Sequence, residues 1–253
     1  MSPRHPTRDN LDSVPRPHPP RRARNDLRQY DDLADQWWAP HGCFAMLHWI
    51  AAARAALMPR AGRVGSLLVD LGCGAGLLAP HVSHLGHRHL GVDRCASALA
   101  QAAEHGVQPV RADVTAVPLP DGCADVVSAG ELLEHVADPA AVLAEACRLV
   151  RPGGLLVLDT IADTRRARFV AVTLAEGLRL APRGIHDPRL FVDRTQLVRV
   201  ARRHGVELTL RGLRPAPWPL VRHLAGAPVA VPMVATRSTA LLFQAWGTKR
   251  AAR

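Results

Sequence analysis

Three neighbouring residues carry side chains that suit acid–base or metal chemistry: Glu131, Glu134 and His135. If they begin a helix, Glu131 lies near Glu134 at i+3 and near His135 at i+4. Two carboxylates and an imidazole can hold a divalent cation, and the oxygen ligands favour Mg²⁺. Without a metal, His135 could serve as a general base. A third interpretation is that the segment only builds the wall of a site.

A glycine-rich stretch, Asp70-x-Gly72-x-Gly74-x-Gly76, provides the second chemical signal. It follows an apolar run of strand length and precedes a helix-like segment, as in the nucleotide sites of doubly wound α/β proteins. A dinucleotide-binding oxidoreductase usually has G-x-G-x-x-G. Here the third glycine comes one residue early, which argues against NAD. The stretch instead resembles motif I of the class I S-adenosylmethionine-dependent methyltransferases.

That resemblance implies that the glycine loop approaches the amino-acid portion and the ribose of S-adenosylmethionine. Asp93 follows the second predicted strand, where a carboxylate can accept hydrogen bonds from both ribose hydroxyls. We expect Asp70 to orient the loop or to meet the ammonium group of the cofactor, and Asp113 to lie near its adenine. Each of these three acids could instead cap a helix or a turn.

Positioning these residues requires alternating strands and helices, and the chain shows this alternation after residue 63. Apolar runs predict strands at 66–70, 89–92, 107–111, 124–128 and 155–159. Helix-like segments separate most of them, which predicts a Rossmann-like, doubly wound α/β fold with a mostly parallel sheet. The resemblance to class I methyltransferases implies that this sheet has seven strands.

The domain organisation follows from composition and length. At 253 residues and 48% hydrophobic content, the chain can bury one substantial core. Residues 1–25 are rich in Pro and Arg and are predicted to form a disordered tail. Residues 26–253 are predicted to form a single domain: N-terminal helices at 26–62, a cofactor-binding core at 63–160, a helical substrate lid at 161–192, and the C-terminal part of the sheet at 193–253.

Charge and cysteine content restrict the partners and the compartment. The formal charge is +10, yet only 4% of residues are aromatic and no RNA-binding motif is present, so we expect no nucleic-acid partner. The start lacks the apolar region of a signal peptide, and no apolar run reaches the roughly 20 residues that span a bilayer. The five cysteines never form C-x-x-C. A reduced, cytoplasmic protein without structural zinc is the expectation.

Three further blocks, in order, resemble the UbiG family, the O-methyltransferases of ubiquinone biosynthesis. They are the paired-tryptophan segment Trp37–Phe44 with Leu47-His48, the E-x-L-E-H-V-x-D-P segment at 131–139, and Pro182–Asp187 with Phe191. The resemblance implies O-methylation of a phenolic or catecholic small molecule, such as a quinone precursor. It also implies cofactor contacts from Arg54, Gly72, Asp93 and Gly130, and Mg²⁺ bound by Glu131, Glu134 and His135.

Departures from the family fall on the substrate side. The family's T-x-N-R is Thr160–Asp163 here, its Asn-Pro is Ala51-Ala52, and its tyrosine-rich C-terminal turns are absent. The alternatives are therefore N- or C-methylation of another secondary metabolite, RNA methylation, or an adaptor that only retains the fold. The arginine-rich helix predicted at 164–181 suits either peripheral contact of the 164–187 insert with a membrane or packing over the pocket with its arginines in water.

Overall fold

The computed structural model describes residues 22–178 and 180–251, so the disorder predicted for residues 1–21 lies outside the described part. One eight-stranded sheet organises it, with strand order β3-β2-β1-β4-β5-β8-β6-β7. The strands are β1 Leu67–Leu71, β2 Arg88–Asp93, β3 Gln108–Arg111, β4 Ala124–Gly130, β5 Val150–Ile161, β6 Thr209–Pro215, β7 Met233–Thr236 and β8 Leu242–Thr248.

The pairing of the strands confirms the predicted doubly wound α/β fold. Strands β1 to β5 pair in parallel, and β8 lies antiparallel between β5 and β6. The described sheet has one strand more than the seven expected, because β7 pairs with β6 at the edge. Parallel strands place their carboxyl ends at one edge of the sheet, which is where ligands bind in this architecture.

Eight α-helices flank the sheet in the described residues. They are α1 Arg28–Asp32, α2 Ala45–Ala55, α3 Ala79–Val82, α4 Ala96–Glu104, α5 Pro139–Leu149, α6 Arg165–Arg168, α7 Arg194–Arg203 and α8 Pro217–Leu224. No helix among the described residues is long and apolar enough to cross a membrane.

Alternation along the central strands divides the core between the two faces of the sheet. Leu68 of β1 and Val157 of β5 pack toward α2 and α3 on one face. Their sequence neighbours Val69 and Leu156 pack toward α5 and α7 on the other. These central strands are buried on both faces, which explains why they read as continuous apolar runs in the sequence.

The insert after β5 is helical at its start but differs from the single α-helix predicted at 164–181. Helix α6 begins where the Thr164 hydroxyl accepts a hydrogen bond from the Ala167 amide (3.0 Å). It continues as a π-helical stretch, Phe169–Ala175. The insert packs on the end of the sheet through Ala171, which contacts the cluster around Ile161.

Candidate functional site

A cavity of about 680 Å³ lies at the carboxyl ends of the parallel strands. It is covered by residues of the N-terminal segment and of the loop at 180–190. Nine of the eleven predicted site residues line it: Arg54, Asp70, Gly72, Gly74, Asp93, Asp113, Gly130, Glu131 and His135. Gly76 and Glu134 do not.

The glycine loop is shaped by backbone conformation and close packing. Gly72 and Gly74 have positive φ angles of 66° and 50°, a region that favours glycine. A Cβ on Gly72 would lie 2.7 Å from a side-chain carbon of Leu132, and one on Gly74 would lie 2.9 Å from the Trp37 ring. The loop therefore needs glycine at both positions to remain open to the cavity.

Gly76 has a different role from the predicted cofactor contact. Its φ is +80°, and a Cβ there would lie 3.0 Å from the Cα of Ala102 in α4. This glycine lets α4 pack closely against the segment after the loop. The alternate spacing of the three glycines did not distinguish a loop residue from a packing residue.

Asp93 holds the glycine loop while it lines the cavity. Its Oδ2 accepts a hydrogen bond from the Gly74 amide (2.9 Å), and its Oδ1 accepts one from the Cys95 amide (2.9 Å) before α4. Burial raises the pKa of Asp93. The capping and cofactor-binding interpretations are compatible, because each carboxylate oxygen has a second lone pair for a ribose hydroxyl.

Asp70 and Asp113 both line this cavity. Asp70 is buried at the end of β1, and its Oδ2 lies 3.6 Å from Nε2 of His89. Asp113 accepts hydrogen bonds from the amide and the hydroxyl of Thr115 (2.9 and 2.7 Å). Those hydrogen bonds lower the pKa of Asp113. Asp113 therefore caps a turn, as one interpretation predicted, and it also lines the cavity.

Arg54 crosses the end of β4 and pairs with an acid that the sequence analysis missed. Its Nη1 donates to Oδ1 of Asp159 at 2.6 Å, and both side chains are buried. A Cβ on Gly130 would collide with this guanidinium. Nε of Arg54 and Oδ2 of Asp159 have no partner among the described residues. Arg54 lines the cavity and Asp159 does not, so the guanidinium is the group of this pair that suits the charged amino-acid portion of S-adenosylmethionine.

The predicted Mg²⁺ site does not form. Glu131 has a φ of +49° and is followed by a 3₁₀ turn, Leu133–His135, so the expected α-helical spacing is lost. Glu134 is fully buried and accepts a hydrogen bond from the Thr160 hydroxyl (2.8 Å). In residues 22–178 and 180–251, no group of three His, Cys, Asp or Glu side chains is arranged to hold a metal. The structure therefore does not support the metal.

Burial also shifts all three of these residues toward their uncharged forms. It raises the pKa of Glu134 to about 8 and the pKa of Glu131 well above its usual range. Burial, followed by the charge of His186, lowers the pKa of His135 to about 3. Near neutral pH, burial therefore leaves His135 as a neutral imidazole and favours the protonated form of Glu131, and both of these residues line the cavity.

The N-terminal segment contributes to the site, although residues 22–25 were assigned to the tail. Arg24 donates to Oε1 of Glu176 (2.9 Å) and to the carbonyl of His186 (2.7 Å). Asn25 hydrogen-bonds to His135, and Tyr30 meets the His135 ring edge-on at 6.2 Å. Their partners lie more than 100 residues away, so no local pattern could reveal these contacts.

Comparison with known proteins agrees with this geometry. A family model described as a methyltransferase domain matches residues 69–158. A ubiquinone biosynthesis O-methyltransferase from Cupriavidus pinatubonensis is 34% identical, covering 79% of this chain and 85% of the relative. One from Thiobacillus denitrificans is 36% identical, covering 72% and 82%. A solved SAM-dependent methyltransferase from Thermotoga maritima, a possible histamine N-methyltransferase, shares the fold with a TM-score of 0.63 at 19% identity, covering 88% of this chain and 97% of that one.

The fold and the glycine-loop cavity define an S-adenosylmethionine-dependent methyltransferase, and the chain is an enzyme of that class. The predicted methyl donor is thereby confirmed. The curated relatives are more than 30% identical to the chain over most of their length, which identifies the family within this class. It belongs to the family of ubiquinone biosynthesis O-methyltransferases.

Asp93→Asn should weaken binding of S-adenosylmethionine by about 10- to 100-fold, because a hydrogen bond to a charged group contributes roughly 1.5–3 kcal/mol. Isothermal titration calorimetry of the free enzyme measures the change. Glu104→Gln, at the exposed end of α4, is the matched control. An unchanged Kd for Asp93→Asn would contradict the ribose-binding role.

Arg54→Met should destabilise the fold by about 3–5 kcal/mol, because it leaves Asp159 as a buried, unpaired charge. The double variant Arg54→Met/Asp159→Asn removes that charge and should recover part of the loss. Urea denaturation measures both. If the free energy of unfolding of the single variant were within about 0.5 kcal/mol of wild type, the ion pair would not stabilise the fold. A double variant no more stable than the single one would show the same.

Proposed function

We propose that the enzyme methylates a phenolic or catecholic hydroxyl of a small, lipid-like molecule such as a quinone precursor, with His135 as the general base. The observation that carries the proposal is the position of His135, which lines the same cavity as the glycine loop and Asp93. The O-methyltransferase relatives agree with an oxygen acceptor. Apolar residues border the acceptor side of the cavity: Tyr30, Phe44, Leu180, Ile185 and Leu190.

The proposed proton transfer to His135 leaves the number of charges in the cavity unchanged. When bound, S-adenosylmethionine supplies an electrophilic methyl group on a positively charged sulfur. As the phenolic oxygen attacks, the O–C bond forms, the S–C bond breaks, and His135 takes the phenolic proton. One positive charge moves to the imidazole and none is created. A transfer that creates no new charge suits a cavity where burial disfavours charged forms.

Glu131 has a different proposed task from metal binding. Its carboxyl lines the cavity with Oε1 buried and without a partner among the described residues. Because burial raises the pKa of Glu131, this group carries a proton and can donate a hydrogen bond. We assign it to the second oxygen of a catechol-like acceptor. Glu134 lies beneath the cavity and supports Thr160 rather than the acceptor.

Turnover of labelled S-adenosylmethionine with catechols, polyprenyl phenols and amines, each with and without EDTA, tests this function. We expect methylation of a phenol that EDTA does not change. His135→Gln should lower kcat by about 100-fold, in the range of general-base catalysis, without changing the Kd of the cofactor. His204→Gln, at an exposed position after α7, is the control.

Three outcomes would overturn parts of this proposal. Loss of turnover in EDTA, restored by Mg²⁺, would show that the metal is used. A normal kcat in His135→Gln would remove the histidine from the base role. Methylation confined to the amines in the panel would favour the alternative, N-methylation.

We propose further that the 164–187 insert and α8 contact an anionic lipid surface. Phe169 and Leu178 of the insert are 57% and 54% exposed, and Trp218 of α8 is 72% exposed. Leu178 and Leu224 border a second cavity of about 240 Å³, together with Leu180, which also lines the main one. Both apolar elements therefore lie beside the acceptor side of the main cavity.

Charge around these elements suits such a surface. Arg165, Arg166 and Arg168 lie in α6 and Arg222 lies in α8, while the sequence contains no acid after Glu207. Apolar side chains beside arginines are the composition of an interfacial segment. A lipid-like acceptor could then reach the cavity from the membrane side.

Trp218→Ser/Leu224→Ser should reduce co-sedimentation with vesicles of phosphatidylglycerol and phosphatidylcholine at least about tenfold, because two buried apolar side chains contribute roughly 1.5–3 kcal/mol each to insertion. Val64→Ser removes a fully exposed apolar residue elsewhere on the protein and should change nothing. Equal binding by all three proteins, or no binding by wild type, would contradict the contact.

A further inference from the structure

Within the described residues, the side chain of Asn25 makes two hydrogen bonds to His135, one to its backbone and one to its ring. Nδ2 of Asn25 donates to the backbone carbonyl of His135 at 2.8 Å. Oδ1 of Asn25 lies 2.8 Å from Nδ1 of the same histidine. The side-chain amide therefore contacts both the backbone and the ring of one residue, 110 positions away in the sequence.

The orientation of the Asn25 amide determines which ring nitrogen carries the proton. The His135 carbonyl can only accept a hydrogen bond, so the NH₂ group must face it. Oδ1 then faces Nδ1, and because an amide oxygen cannot donate, Nδ1 must carry the hydrogen. In a neutral imidazole, Nε2 is then the nitrogen that can accept a proton.

We infer that Asn25 is a positioning residue, which fixes the Nδ1–H tautomer of His135 so that Nε2 is free to take the proton of the methyl acceptor. This role rests on the proposed function, in which His135 is the base. The histidine remains the catalytic residue, because Asn25 acts only through the ring. Without Asn25, the proton could move to Nε2, and that tautomer cannot act as a base there.

Among residues 22–178 and 180–251, no second hydrogen-bond partner fixes the tautomer of the ring. Within the described residues, Asn25 is the hydrogen-bond partner recorded for the ring. The titratable groups that face it are His186, stacked at 5.5 Å, and Tyr30, edge-on at 6.2 Å. Both meet the ring through aromatic contacts.

The backbone at position 25 also suits asparagine. Asn25 has a φ of 59°, in the left-handed region that asparagine tolerates better than most residues. The backbone N–H of Asn25 donates to the carbonyl of Gly184 (2.9 Å), and this hydrogen bond does not depend on the side chain. Glycine is therefore the appropriate replacement for removing the side chain, because alanine would add backbone strain.

The tautomer can be measured without any turnover. In protein labelled with ¹⁵N-histidine, the Nδ1 and Nε2 shifts of His135 separate the two tautomers, and the His135→Gln spectrum identifies its signals among the 13 histidines. We expect protonated Nδ1 and unprotonated Nε2 in wild type. Asn25→Gly should give a mixture. Asn25→Asp, whose carboxylate still accepts from Nδ1–H, should keep the wild-type tautomer.

Kinetics then connect the tautomer to the reaction. Asn25→Gly should lower kcat about tenfold or more, within the range of acid–base effects, while the KM for S-adenosylmethionine stays constant. Asn25→Asp should recover part of that loss. Arg24→Met is the comparison, because it releases Glu176 and the His186 carbonyl without touching the His135 ring.

The outcomes separate the hypothesis that Asn25 fixes the tautomer from the hypothesis that His135 is the base. Protonated Nε2 in wild type, or an unchanged tautomer in Asn25→Gly, would overturn the role of Asn25. An equal loss of kcat in Arg24→Met with the wild-type tautomer would show that docking of the segment, and not the ring contact, matters. The wild-type tautomer together with a fully active His135→Gln would leave the Asn25 contact intact but refute the proposed base.

Discussion

The buried ion pair between Arg54 and Asp159 is the constraint on which the cavity depends. It joins α2 to β5 across the end of β4, where Gly130 leaves room for the guanidinium. The carbonyl of Asp159 also accepts a hydrogen bond from the Glu131 amide (2.9 Å), so the turn after β4 depends on the same residue. Two buried charges that neutralise each other cannot separate without a large desolvation penalty. The pair therefore holds the end of β5 and, through the amide of Glu131, the start of the turn after β4.

The same burial decides the chemistry that these groups can perform. Burial disfavours the charged form of any side chain that has no partner. Burial raises the pKa of Asp159, Glu131 and Glu134, and Arg54 offsets part of that effect at Asp159 and Glu131. The site thus divides into the buried Arg54–Asp159 ion pair and a group of uncharged side chains, Glu131 and His135. Moving one positive charge from sulfur to imidazole suits this division, since the number of charges in the cavity stays constant.

The sequence predicted those parts of the site whose geometry depends on residues close together in the chain. The strand alternation and the position of Asp93 follow from short-range sequence features, and the loop glycines Gly72 and Gly74 follow from their spacing. The metal cluster failed because its prediction assumed an α-helix after β4. The positive φ of Glu131 instead turns the chain into a 3₁₀ turn. That conformation depends on tertiary contacts such as the Glu131–Asp159 hydrogen bond, which the residue types alone do not encode.

The contacts of the N-terminal segment were also missed, because they too are tertiary contacts. They connect this segment both to the loop at 184–186 and to His135. Arg24 and the backbone of Asn25 bind the loop at 184–186, while the side chain of Asn25 binds His135. His186, in that same loop, stacks on the His135 ring. One short segment therefore covers the cavity and orients the imidazole.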